Sequence, residues 1–169
     1  MAGSAGTPAR RRPVRFNGAV AEIRRTRTVA VPPHVIWEIL ADFGSVSSWA
    51  DFVDHSCLLE HGARGIAVGT SRRVQLGRGT FVERITDFDP PRLLGYDIEG
   101  LPALIRHLRS TWTLRPLGNG HTEISLTNVV TIGTNPIQRL AERVFARVSA
   151  KRLDLLLACL TKRLETHHV

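Results

Sequence analysis

In the stretch GTFVERITDFDPP, residues 79–91, Phe81, Glu83 and Ile85 occupy alternate positions. Strand side chains change face with period two, so a core that takes Phe81 and Ile85 takes Glu83 as well. A carboxylate turned inward costs free energy unless something satisfies it. Arg72, in SRRVQL, stands in the same relation to Val74 and Leu76 and carries the opposite charge. The two could form a charge pair or polar handle inside a ligand cavity, or a purely structural ion pair. A strand bulge could equally place one of them outside. Buried without a partner, Glu83 would be the one candidate general acid or base, and a weak one.

Other chemistries find little support. The seven histidines show no HxH or HExxH spacing and the two cysteines, Cys57 and Cys159, have no repeat, so no metal site is expected and both thiols read as small buried hydrophobes. There is no GxSxG elbow and no GxxxxGK. The Gly77-Arg78-Gly79 run lacks the third glycine and following helix of a dinucleotide site, so no cofactor is expected.

A chain of 169 residues with 43% hydrophobic and 22% charged content suits one globular domain. No run of eighteen apolar residues offers a membrane span, and the N-terminal arginines precede no apolar segment of a secretory signal, so a cytoplasmic location is expected. Net charge is +8, but residues 1–20 hold four arginines and no acid, so half the excess lies there. That segment reads as a disordered basic tail rather than a specific nucleic-acid arm. The domain is then 21–167, with no signal of oligomeric state and His167-His168 at a frayed end.

The elements that must hold Arg72 and Glu83 follow from periodicity. A first strand over 22–31 places Ile23, Arg25, Arg27 and Val29 on one side. Pro32-Pro33 opens a short helix with the stripe Val35, Ile36, Ile39 and Leu40, and Ser45 is placed to cap a second short helix running through Trp49 to Phe52. Strands are expected at 53–60, 69–76, 79–88, 93–99, 107–116 and 121–131. They are joined by turns at Gly77-Arg78-Gly79, Pro90-Pro91 and Gly118-Asn119-Gly120. Short turns make the sheet antiparallel. A helix from Asn135 to Glu165 carries Ile137, Leu140, Ala141, Val144, Phe145 and Val148, then Leu153, Leu156, Leu157, Leu160 and Leu164.

This order resembles the helix-grip fold of the START-related superfamily. The segment VPPHVIWEILADFGSVSSW, the Val68-Gly69-Thr70 and Arg72-Arg73 pairing, and ERITDFDPPRLLGYDIEG resemble its bacterial polyketide cyclase/dehydrase-like (SRPBCC) members over about residues 22–165. The resemblance implies an α+β fold in which a curved seven-stranded antiparallel sheet, with two short helices after the first strand, wraps a long C-terminal helix around a cavity. It also implies an inward Glu83, since a plant hormone receptor of the superfamily has an inward glutamate there that reaches its ligand through water.

On that fold the inward rows select the candidate ligand-binding residues: Arg72, Val74, Phe81, Glu83, Ile85, Tyr96, Ile98, Leu108, Ser110, Trp112, Leu126 and Asn128 from the sheet, and Val144 and Val148 from the helix. Sparse polar groups in an apolar concavity are the usual make-up of a small-molecule pocket. The segment GLPALIRHL, with Leu101, Leu104 and Ile105, would be an apolar lid, and Arg106 and His107 at its edge could meet a ligand acid group. Trp37 reads as core, whereas Trp49 could belong to core or cavity mouth. The expected partner is a hydrophobic small molecule, lipid or polyketide-like, bound or carried. The alternatives are a cofactor-free cyclase or dehydratase, and a ribosome- or protein-interaction module that would rest on the basic tail.

Overall fold

The computed structural model describes residues 19–60, 65–132 and 136–167. Seven strands, β1 (Ala19–Val29), β2 (His55–Glu60), β3 (Ser71–Leu76), β4 (Gly79–Asp89), β5 (Leu93–Glu99), β6 (Ile105–Gly118) and β7 (His121–Ile132), form one antiparallel sheet in the order β1-β7-β6-β5-β4-β3-β2. Between β1 and β2 lie helix α1 (Pro33–Ala41) and a 3-10 helix (Phe43–Ser48), and the chain closes with α2 (Pro136–His167). The architecture is the expected α+β helix grip. The expected tail lies outside the described residues except for Ala19 and Val20, which belong to β1, and His168 and the side chains of Ile137, Leu140 and Ala141 also lie outside.

Local chemistry explains most boundaries. Gly77 at φ +56° makes the β3–β4 turn, and Gly118, Asn119 and Gly120, all at positive φ, make the β6–β7 turn. β1 begins at Ala19 rather than residue 22 because β7 extends to Ile132 and pairs with it there. The second short helix spans Phe43–Ser48, earlier than the expected Ser45–Phe52 segment. Ser45 therefore lies inside it rather than at its start, with its Oγ donating to Asp42 Oδ1 at 2.9 Å.

At 32 residues α2 is about 48 Å long and can cross the whole sheet. Leu153, Leu157, Leu160 and Leu164 make its buried stripe, each contributing about 1.5–3 kcal/mol by leaving water. They share one core with Ile36, Leu40 and Phe43 of the short helices and Ile85, Leu94, Trp112, Ile124 and Leu126 of the sheet. Arg25 of β1 reaches Asp154 of α2 at 3.1 Å. Trp37 packs at the edge of this core, its ring 5.2 Å from that of Phe88. Cys57 and Cys159 are free thiols and only partly buried, less enclosed than expected.

Candidate ligand cavity

Between the sheet and α2 lies a cavity of about 220 Å³, near the small end of ligand pockets. Arg72 and Val74 of β3, Phe81 and Glu83 of β4, Tyr96 and Ile98 of β5, Leu108 and Ser110 of β6, and Asn128 of β7 line it from the sheet. Val148 lines it from α2, although it is 59% exposed and so stands at the rim. The pairing register brings these strands together: Arg72 opposes Glu83, Glu83 opposes Ile98, Tyr96 opposes Ser110, and Ser110 opposes Asn128.

Four candidates do not reach the cavity. Ile85, Trp112 and Leu126 do belong to the buried core, but to the part packed in one cluster with residues of α1, the 3-10 helix and α2 rather than to the cavity wall. Val144 is 58% exposed, since α2 turns Phe145 rather than Val144 toward the cavity. The lid is shorter than expected, because β6 already begins at Ile105 and leaves only residues 100–104 as loop. Leu101, Pro102 and Ile105 still close one side of the cavity.

Strand alternation turns His107 away from the side that Leu108 lines, and His107 Nε2 sits 3.1 Å from Asp97 Oδ1. Neither His107 nor the exposed Arg106 lines the cavity. Trp49 is buried in the core, outside the cavity wall.

Sequence reasoning missed a second set of lining residues. Val46, Phe52 and Val53 enter from the segment after α1, and Phe145, Ser149, Arg152, Leu153 and Leu156 enter from α2. Their steps of three and four along the helix define one face, and that spacing was available in the sequence. Arg152 is the notable member. Its Cζ stands 5.8 Å from the Phe81 ring centroid, and burial lowers its pKa while the charge of Glu83 pushes the other way.

The polar groups of the sheet wall are largely committed to one another. Arg72 Nε donates to Glu83 Oε2 at 2.7 Å and Nη1 to the Phe43 carbonyl at 2.6 Å, so the guanidinium ties β3 to β4 and to the 3-10 helix. Its Cζ lies 4.0 Å from the Phe43 ring centroid and 5.3 Å from that of Tyr96, adding cation–π attraction. Ser110 Oγ donates to Asn128 Oδ1 at 2.6 Å, and Trp112 Nε1 donates to Tyr96 Oη at 3.3 Å. Burial, then the charge of Glu83, push the Tyr96 phenol up to about 12. The condition for Glu83 as acid or base, burial without a partner, is not met, because Arg72 supplies the partner. Among the described residues no cluster of three or more His, Cys, Asp or Glu is placed to hold a metal ion.

The same architecture recurs in solved structures. Zhui aromatase/cyclase from Streptomyces sp. R1128 is 22% identical at a TM-score of 0.66, over 86% of this chain and 96% of that one. A START superfamily protein from Mycobacterium smegmatis is 16% identical at a TM-score of 0.69, over 86% and 97%. A norcoclaurine synthase point mutant from Thalictrum flavum, in complex with a transition-state analogue, is 16% identical at a TM-score of 0.71, over 92% and 100%. At such identities the likeness is one of fold. No curated protein sequence matches the chain. The model of one family, described as polyketide cyclase/dehydrase and lipid transport, matches residues 20–165, and with nearly the whole described fold inside that match the chain belongs to this family.

Proposed function

We propose that the protein binds a compact hydrophobic small molecule, polyketide-like or lipid-like, in the cavity between its sheet and α2, and acts as a single ligand-binding domain. The observation that carries this reading is the wall itself: Val74, Phe81, Ile98, Leu108, Phe145 and Leu156 supply apolar surface, and a few polar groups interrupt it. Burial of apolar surface provides affinity in such a site, and the sparse polar groups provide orientation. Family membership supports the same class of ligand. The free thiols Cys57 and Cys159 suit a reducing compartment such as the cytoplasm.

A cyclase or dehydratase would need a group in the cavity that exchanges protons near neutral pH. Glu83 is held by Arg72, and a phenol pushed up to about 12 donates a hydrogen bond but does not serve as a base, so the geometry favours binding over turnover. An interaction module would rest on the basic tail, of which residues 1–18 lie outside the described residues.

Titration calorimetry with 2-naphthamide, a neutral bicyclic probe, tests the reading. Binding is expected in the wild type, and it should be lost in Ile98→Trp, which fills the cavity while the circular dichroism spectrum remains native. Binding that survives Ile98→Trp unchanged would place the probe elsewhere and sink the proposal.

A further inference from the structure

The charged residues lining the cavity are two guanidiniums, Arg72 and Arg152, and one carboxylate, Glu83. Arg72 and Glu83 neutralise each other in a close pair. Arg152 makes no ion pair or side-chain hydrogen bond with any other described residue, and its nearest defined contact is the face of Phe81. A guanidinium keeps its charge under any ordinary condition, and Glu83, the one carboxylate in the lining, attracts half-buried Arg152 but is already bonded to Arg72, so two cations share a single counter-charge. Placing it there costs desolvation energy that only a counter-charge offsets well.

One helical step away, Ser149 lines the same cavity and is 5% exposed. Residues three apart share a helix face, so a hydroxyl and a guanidinium sit side by side on α2, opposite the apolar side chains of the sheet. A guanidinium fork with an adjacent hydroxyl matches the geometry of a planar oxyanion.

Resting on the binding reading above, we propose that the ligand is an amphipathic acid: an apolar body held by the sheet wall, with one acidic group, ionised at neutral pH, held by Arg152 and assisted by Ser149. Arg152 is then the specificity-determining residue of the cavity. It selects anionic over neutral molecules of the same shape, and the anion completes the charge balance that the protein leaves open.

The pair 2-naphthoate and 2-naphthamide tests this, because the two share a skeleton and differ in charge. In the wild type calorimetry should give naphthoate about tenfold tighter binding, in keeping with a charge-assisted hydrogen-bonded pair. Arg152→Met should bring the ratio of naphthoate to naphthamide affinity to about one, and Arg152→Lys, which keeps the charge but loses the fork, should retain part of the preference. Equal affinity for the two probes in the wild type, or a preference unchanged in Arg152→Met, overturns the anion assignment and leaves the binding reading standing. Failure of both probes to bind overturns the binding reading itself and the assignment with it. If Arg152→Met lowers the unfolding midpoint, Arg152→Lys decides: loss of stability in Met alone with no change of preference in either variant makes Arg152 structural and ends the proposal.

Discussion

Arg72 and Glu83 oppose each other across β3 and β4, and two guanidinium nitrogens converge on one carboxylate oxygen, Nε at 2.7 Å and Nη2 at 2.5 Å from Oε2. Neither bond uses Oε1. Each guanidinium nitrogen thus makes a contact, the third to the Phe43 carbonyl, and Glu83 lines the cavity with one carboxylate oxygen outside the pair.

Breaking this pair from the arginine side should be expensive. Arg72→Met strands the largely covered Glu83 carboxylate, 13% exposed, and the Phe43 carbonyl together, and a loss of about 3 kcal/mol in urea unfolding at neutral pH is expected. Arg72→Met combined with Glu83→Leu should recover most of that loss, because an apolar pair leaves no stranded charge. A single-variant cost below about 1 kcal/mol would mean that the pair does not organise the wall.

Tyr96 is the only tyrosine in the chain, so its ionisation can be read directly from phenolate absorbance. The native protein should show a midpoint near 12, against the ordinary value of 10.0 in denaturant. A folded pKa above the unfolded one means that the contribution to stability is complete below the unfolded value and is lost as pH rises through the folded one. The window is thus about pH 10 to 12, and roughly 3 kcal/mol should disappear across it in the wild type but not in Tyr96→Phe. A native midpoint near 10 would show the phenol to be hydrated.

Gly100 opens the loop that carries Leu101 and Pro102 over the cavity. Its φ is +84°, and a Cβ there would lie 3.0 Å from the Thr80 carbonyl oxygen. Gly100→Ala should cost about 1–2 kcal/mol from backbone strain and displace the loop, weakening 2-naphthamide binding more than distant variants of equal stability do. Chemical denaturation and calorimetry on the same preparation separate the two effects.

Arg25 and Asp154 bridge β1 and α2 at 3.1 Å, but their side chains are 39% and 57% exposed. A double-mutant cycle to alanine should return only about 0–1 kcal/mol of coupling, declining further in high salt. A larger value would give the surface pair a share in clamping the helix that burial alone now explains.

The strands were legible because alternation and glycine turns are local signals, and β3 to β5 fall close to where the periodicity puts them. Alternation reports which face a side chain takes, not what covers that face. Ile85, Trp112 and Leu126 are correctly turned inward, yet whether cavity or packed helix awaits them depends on helices that strand alternation does not report. Arg152 was missed for a different reason. Apolar residues define a helix stripe in a sequence reading, and a lone arginine is assigned to water by default, although its step from Ser149 and to Leu156 put it on the lining face.

The sheet order runs from β1 to β2 without closing on itself, so each of these strands has a backbone rim with no strand paired to it among the described residues. Such rims are templates for adding a foreign strand, the first step of edge-to-edge aggregation. Both are poor templates here. β2 has only six residues and its ladder with β3 slips between Leu58 and Glu60, while β1 carries Arg24, Arg25 and Arg27 in close succession. An open sheet thereby discourages pairing with another copy of itself.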